Sequence, residues 1–469
     1  MNLTSTPSAR PLVTVYITNH NYERYIEQSI ESVLAQTLQD FEVIIIDDGS
    51  TDNSREVIER YADHPRFSII YQKNKGLNVT NNIALRSAAG KYIMRLDADD
   101  FLDPHALELM SSRLEQDSTL GLIFPDYYLT DADGNVECIE KRHSFDEEVS
   151  MLDQPAHGAC TMIRHSALLA VGGYDEQYRC QDGYELWIKF TAKFPVKNIN
   201  LPLFYYRKHN ANLTGNEERL LNTRSAIKQA HFDRQQVAMR TVAFLPVRGR
   251  PVNHQSFALE ELGGRPVIDW IIPQALAARH VDCLVLSTPD EQLLEYAKAT
   301  YANEPNLQLH YRDPSKARLN VDLVGTVSEL LDHEAVKQLN PEALVELSIA
   351  NPFIRTEMID DLVHTCHIFD CDSVISVRPD TNKFFKHDGN GLKPAFPQES
   401  FTRLERDALM RRAGGLSLTR ADYFREHRKL VGGRVGHIVL DAKAAHGITD
   451  QHEFELARFL ATQSSEPSS

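Results

Sequence analysis

No apolar run in the chain reaches the roughly 18 residues that a membrane-spanning helix needs, so no membrane span is expected. No run of Lys and Arg is long enough to track a phosphate backbone, and 66 acidic against 50 basic residues leave a net charge of −16. Nucleic acid is therefore excluded as a partner class. Cysteine is scarce: Cys138, Cys160, Cys180, Cys283, Cys366 and Cys371 show no C-x-x-C spacing, which reads as reduced thiols. Cys366, His367, Cys371 and His364 lie close in sequence but depart from zinc-site spacings, so they are taken as structural. There is no short-period repeat, and Met1 to Pro11, rich in Ser, Thr and Pro, lacks the apolar core of a signal peptide. A cytoplasmic protein is the expectation, with peripheral contact with the inner membrane left open.

What is there is ordinary globular material, 42% hydrophobic, 25% charged and 8% aromatic in 469 residues, enough for two or three domains. Val13 to Thr18 and Phe41 to Ile46 are β-branched runs flanking a helical pattern from Ile26 to Leu34. A second cycle follows: a helix from Asn53 to Tyr61, a strand Phe67 to Tyr71, a helix Thr80 to Ala89 and a strand Tyr92 to Leu96. Such alternation implies a mostly parallel sheet covered by helices. Asn216 to Met239 reads as a polar helix with little apolar face, a connector. Beyond it come a strand Thr241 to Pro246, a helix Val267 to Ala277, a strand Cys283 to Ser287, a helix Glu291 to Tyr301 and a strand Ala343 to Ile349. The expected organisation is a flexible N-terminus 1–10, a domain 11–215, a helical connector 216–239, a second α/β domain 240–462 and a flexible tail 463–469.

In open parallel sheets ligands bind beyond the carboxyl ends of the strands, which singles out three polar clusters. They are Thr18-Asn19-His20-Asn21-Tyr22, Asp47-Asp48-Gly49-Ser50-Thr51-Asp52 and Asp97-Ala98-Asp99-Asp100. Asp52 or Ser50 serves as a helix cap, but a cap does not require Asp47 and Asp48, whose carboxylates suit a nucleobase or ribose. Asp97 and Asp99 fall on one side of an extended segment, a pairing that suits Mg²⁺ or Mn²⁺ bridging two phosphates. The alternative is an acidic loop before a helix capped by Asp103.

The segments VTVYITNHNYERYIEQSIESVLAQTLQDFEVIIIDDGSTDNS, GKYIMRLDADD, GGYDE, CQDGYELWIKF and YYRKHNANLT, spread from Pro11 to Thr214, resemble glycosyltransferase family 2, whose members have a GT-A fold. The resemblance implies an inverting, metal-dependent transferase that moves a sugar from a nucleotide diphosphate donor to an acceptor hydroxyl. It implies that Thr18, Asn19, Asn21, Tyr22, Asp47, Asp48 and Asp97 bind the donor, that Asp97, Asp99 and His209 serve the metal and diphosphate, and that Asp182 is the catalytic base. Asp182 also suits a helix cap, Gln181 stands where the family usually has Glu, and Asn81 stands where many relatives have Arg.

FLPVRGR, LGGRPVIDWIIPQAL, VLSTPDEQLLEYA, ANPFIRTEMIDDLV, DSVISV and ITDQHEFELA, within Arg240 to Leu460, resemble sugar-nucleotide cytidylyltransferases that activate acidic sugars. The resemblance makes Arg248 and Gly249 a remnant of a triphosphate-binding loop. The loop otherwise reads Arg250-Pro251-Val252-Asn253-His254 without the usual lysine, and Phe257-Ala258 replace a lysine-asparagine pair. Ala350, Asn351, Gly447 and Thr449 stand where metal-binding acids belong, with Asp450 and Glu453 nearby. The fold expected is thus α/β, two tandem nucleotide-diphospho-sugar-transferase-like domains, the second inactive. Expected partners are a nucleotide-sugar donor and a glycan, lipid-linked or protein acceptor in surface-glycan or glycoprotein assembly, with a homo-oligomer left open. Two other readings remain: a bifunctional enzyme that also makes a CMP-activated acidic sugar, and a non-catalytic assembly protein.

Overall fold

The computed structural model describes residues 10–143, 149–152, 156–209, 217–253, 256–380, 382, 384–387, 389, 391–395 and 409–462. Both termini expected to be flexible fall outside these residues apart from Arg10, as do residues 210–214 of the last family segment and His254. The chain divides into two units, Met1–Asn216 with Lys383–Asp407, and Glu217–Asn382 with Ala408–Ser469.

The first unit runs β1 (Val13–Asn19), α1 (Ile26–Leu34), β2 (Phe41–Asp47), α2 (Ser54–Glu59), β3 (Phe67–Tyr71), α3 (Leu77–Ser87), β4 (Tyr92–Asp97), β5 (Phe101–Leu102), α4 (Ala106–Gln116), β6 (Leu122–Thr130), β7 (Val136–Glu140), β8 (Met162–Arg164), α5 (His165–Ala170), α6 (Asp182–Thr191) and β9 (Val196–Arg207). Strand order is β3-β2-β1-β4-β8-β6-β9-β5, with β7 on β6. Because side chains alternate across a strand, Val13, Val15 and Ile17 of β1 pack with residues of α1, α2 and α4, while Tyr16 packs with residues of α3, α5 and α6. The α1 stripe Ile26, Ile30 and Val33 is buried, each side chain contributing about 2 kcal/mol. Both faces of the central strands are thus dry, which is why they appear as continuous apolar runs.

The sheet is mixed where a mostly parallel one was expected. β8 runs antiparallel to β4 and β6, β7 to β6, and β5 to β9. The β6–β7 hairpin closes through Asp131–Asn135 with Gly134 at φ +89°, and no helix intervenes that would let the strands run parallel.

The second unit holds α7 (Glu217–Gln235), β10 (Thr241–Pro246), β11 (Glu261–Leu262), β12 (Arg265–Pro266), α8 (Ile268–Ala277), β13 (Cys283–Thr288), α9 (Glu291–Thr300), β14 (Leu307–Tyr311), α10 (Val324–Asp332), α11 (Glu334–Leu339), β15 (Ala343–Leu347), α12 (Thr356–Ile368) and β16 (Ser373–Pro379). The short strands β17 (Phe385–His387) and β18 (Leu392–Pro394) pair with each other, and β19 (Met410–Arg420), α13 (Ala421–His427), β20 (Val435–Val439) and α14 (Gln451–Thr462) complete the chain. Its sheet, β14-β13-β10-β15-β19-β16-β20, is also mixed, since β19 is antiparallel to both neighbours. The helix expected to connect two domains packs on α12 within this unit. Ile227 and Phe232 of α7 are buried, and Lys228 Nζ donates to Asp361 Oδ2 at 2.7 Å and Thr365 Oγ1 at 3.0 Å. Two apolar residues and one buried cation leave no apolar stripe to recognise, so the contact is invisible to periodicity. No helix among the described residues is long and apolar enough to cross a membrane.

Candidate active site

The register of the first sheet brings polar strand ends side by side, Thr18 opposite Asp97 and Asn19 opposite Asp47. Thr18 Oγ1 donates to Asp97 Oδ1 at 2.9 Å. Asp99 is buried, and its Oδ2 lies 2.9 Å from His209 Nε2. Burial and then the charge of Asp97 push the Asp99 pKa up, against the hydrogen bond with His209. Asp100 is pushed well up by burial, Asp99 and Asp97; its Oδ1 accepts from Arg207 N, and its Oδ2 has no partner among the described residues. Tyr22 sits edge-on to the His209 ring at 5.6 Å and Tyr25 stacks on it at 5.3 Å. Burial, Asp99 and Asp97 keep the Tyr22 phenol protonated.

Arg95 lies inside the apolar β4 run and is buried, so its charge needs partners. It donates to Asp182 Oδ2 through Nη1 and to Asp97 Oδ2 through Nη2 at 3.2 Å. Burial disfavours the guanidinium charge, but Asp182 and Asp97 more than offset that. Asp182 is the first residue of α6, after Gln181 in a left-handed conformation at φ 61°, and the Gln181 side chain makes no capping hydrogen bond. Asp182 Oδ1 has no partner among the described residues. The loop before β8 lies on the same guanidinium: Cys160 N donates to Arg95 O at 2.7 Å, and a Cβ at Gly158 would collide with Arg95 Nη2.

Asp47 and Asp48 spend their carboxylates locally. Asp47 accepts from Gly49 N, Ser50 N and Asn19 Nδ2 at 2.8–3.0 Å. Asp48 accepts from Gln72 Nε2, Lys75 N and Gly76 N at 2.8–2.9 Å, which fixes the loop before α3. Asn21, at φ 60°, accepts from Thr51 N and donates its own N–H to Ser50 Oγ. Asp52 caps α2 by accepting from Ser54 N at 3.0 Å, and Asp103 accepts from His105 N at 2.9 Å ahead of α4. The structure thus gathers Thr18, Tyr22, Asp97, Asp99, Asp182 and His209 around Arg95 and the end of β4. Asn19, Asn21, Asp47 and Asp48 form a second group that shapes the loops beside it.

Residues 14–170 match the family model described as Glycosyl transferase family 2. The N-terminal unit carries a family 2 glycosyltransferase domain. Among known proteins, chondroitin synthase of Escherichia coli is 35% identical over 191 residues, 40% of this chain and 28% of that protein. Hyaluronan synthase of Pasteurella multocida is 33% identical over 194 residues, 40% of this chain and 20% of that protein. The chain therefore spans less than a third of the length of these synthases. A solved structure of S. aureus TarS 1-349 in complex with UDP-GlcNAc matches with TM-score 0.40 at 17% identity, covering 47% of this chain and 65% of that one.

In the family 2 domain, sequence reasoning missed Arg95 and Arg207, and it gave no role of its own to Asp100, which stands in one of the three clusters. A lone cation in the apolar run Tyr92 to Leu96 is the signal that would have found Arg95. Arg207 is buried and donates to Asp99 O at 2.8 Å and Gln28 Oε1 at 2.6 Å, fixing the acidic turn from behind. Asn81 is buried and accepts from Tyr16 OH at 3.2 Å. Among the described residues no three His, Cys, Asp or Glu side chains converge to hold a metal ion, the Cys366 to His364 group included.

In the second unit, Arg248 is exposed at the end of β10 and Gly249 turns at φ +67° against Asp290, which accepts from Arg250 N at 2.9 Å. Ala350, Asn351 and Gly447 do come together: Ile448 N donates to Ala350 O at 2.7 Å, and a Cβ on Gly447 would lie 3.6 Å from Asn351 Nδ2.

Proposed function

We propose that the N-terminal unit is an inverting, metal-dependent glycosyltransferase that moves a sugar from a nucleoside-diphosphate donor to an acceptor hydroxyl in surface-glycan or glycoprotein assembly. The second unit is a cytidylyltransferase-like partner that has lost nucleotidyl transfer. The observation that carries the reading is the bridge from Asp182 through Arg95 to Asp97, inside a domain that matches the family. It puts a base beside an acidic pair suited to a diphosphate.

Asp97, Asp99 and His209 fit Mg²⁺ or Mn²⁺ in donor chemistry. Asp99 and Asp100 are pushed up by burial and by neighbouring carboxylates, and Asp100 Oδ2 has no partner among the described residues, so a cation is the charge this cluster lacks. Such an ion would leave part of its coordination to substrate phosphates and would offset the charge of the departing diphosphate.

Asp182 is held by one oxygen and offers the other. Oδ2 stays on Arg95, so Oδ1 takes the proton of the acceptor hydroxyl as that oxygen attacks the anomeric carbon. The bond to the donor phosphate breaks on the opposite side, which inverts the centre. Tyr22, kept as a neutral phenol, remains a hydrogen-bond donor toward the acidic cluster.

The decisive experiment screens UDP-, GDP-, dTDP- and CMP-sugars for metal-dependent binding and hydrolysis by the intact chain, with Asp99→Ala alongside. A donor bound only with metal, and lost in Asp99→Ala, is expected. Metal-dependent affinity unchanged in Asp99→Ala overturns the assignment of the acidic pair.

A further inference from the structure

We propose that His157 contacts the sugar being transferred, its Nε2–H donating to one sugar hydroxyl oxygen; the inference rests on the transferase reading above. Ala159 N donates to His157 Nδ1 at 3.2 Å. A backbone amide cannot accept, so Nδ1 carries no proton and the ring is the Nε2–H tautomer. Burial, opposed by Asp97, holds the imidazole neutral with its pKa pushed down to about 4. With Nδ1 occupied and Nε2 protonated, the ring is a fixed donor and not a base.

The ring cannot swing away. Tyr206, Phe204 and Tyr127 pack around it with centroids at 4.7, 5.4 and 5.6 Å. Its Nε2 makes no hydrogen bond among the described residues, so a directed donor sits in an aromatic surround without a protein acceptor. Phe204 and Tyr127 belong to the core and hold the ring from behind, and one fixed polar donor is what a sugar site needs to read a single hydroxyl.

The location follows from the reaction. Inversion puts the attacking hydroxyl and the leaving phosphate on opposite sides of the anomeric carbon, so the sugar lies between Asp182 and the Asp97–Asp99 pair. Arg95 spans that interval, and the 156–158 loop covers Arg95. Gly158 rests on the guanidinium, and a Cβ on Gly183, next to Asp182, would stand 3.5 Å from Ala156 O. His157 is therefore carried at mid-span, where the transferred sugar sits.

The test titrates the full chain, with Mn²⁺ present, with UDP-GlcNAc, UDP-glucose, UDP-glucuronate and GDP-mannose, and with UDP and GDP alone. His157→Phe keeps a ring and removes the donor; His157→Gln keeps an N–H near the Nε2 position. For whichever sugar nucleotide binds, His157→Phe raises its Kd roughly 3- to 10-fold, the scale of one hydrogen bond, and leaves the free diphosphate within about twofold. His157→Gln restores most of the affinity. Equal weakening of sugar nucleotide and free diphosphate, or no weakening of either, overturns the inference while leaving the transferase reading intact. A wild-type chain that binds none of the four, nor any donor of the wider screen above, fails the transferase reading, and this inference with it.

Discussion

Asp182 and Arg95 are 87 residues apart in the chain, yet the guanidinium of Arg95 closes on Asp182 Oδ2 and leaves Oδ1 without a described partner. That arrangement separates holding from reacting. Asp182→Asn keeps the size and one hydrogen bond to Arg95 but removes the basic oxygen. Turnover of the best donor and acceptor is expected to fall roughly 10²-fold or more while donor affinity and thermal stability change little. Full turnover in the variant would return Asp182 to the role of a helix-start residue.

Gly158→Ala should act through Arg95. The added methyl lands on a buried guanidinium that is already committed to two carboxylates. Either Arg95 shifts and Asp182 loses its anchor, or the loop shifts and carries His157 with it. Turnover should drop roughly 10-fold or more with a stability loss of about 1–3 kcal/mol, the usual range for overpacking. Wild-type turnover and unfolding temperature in this variant would mean that the loop has room the packing does not show.

Much of the first sheet was legible because its central strands are buried on both faces, so Val13 to Thr18 and Phe41 to Ile46 stand out as apolar runs ending in acids and amides. The antiparallel half was not, since the Asp131–Asn135 turn and the three residues of β8 carry too little pattern. Arg95 was hidden by the same apolar run that revealed β4. His157 was hidden differently: a loop residue has no period, and its meaning lies in which atom Ala159 occupies. The role of α7 depends on Lys228 meeting Asp361, 133 residues away, which no local pattern encodes.

The second unit carries its own acid sensitivity. His280 Nε2 and His364 Nε2 lie 3.0 Å apart beneath Phe232, and burial lowers both, His364 to about 3 from 6.5. As pH falls below about 6.5 the unfolded chain takes up protons that the folded pair refuses, so folding weakens between about pH 6.5 and 3. At pH 5 the cost from His364 alone is about 2 kcal/mol. Urea unfolding followed from pH 7.5 to 5 should show a midpoint that falls less in a His280→Gln, His364→Gln double variant than in wild type. Equal falls would place the acid sensitivity elsewhere.

The intact chain is expected not to release pyrophosphate from CTP in the presence of an acidic sugar such as N-acetylneuraminate and Mg²⁺. The positions where the cytidylyltransferase resemblance expects metal-binding acids converge in the second unit, but they carry Ala350, Asn351 and Gly447, and Asn351 Nδ2 already donates to His446 O at 3.2 Å. The nearby acids are committed: Asp450 accepts from Glu453 N at 2.9 Å at the start of α14, and Glu453 Oε2 lies 3.4 Å from His446 Nδ1. Phe257, where the resemblance expects a lysine, stacks on Phe454 at 4.8 Å and packs, half-buried, against the core. Arg248 remains exposed, and burial followed by the charge of Arg248 lowers the Arg312 pKa to about 10, so both side chains stay cationic at neutral pH and can attract an anion. Attraction is not transfer, because a leaving pyrophosphate needs metal carboxylates as well as cations to stabilise it. Weak CTP binding without pyrophosphate release fits this reading. Robust Mg²⁺-dependent release that disappears in Arg248→Ala would replace it with a bifunctional enzyme, since only a working triphosphate site would couple that side chain to the chemistry.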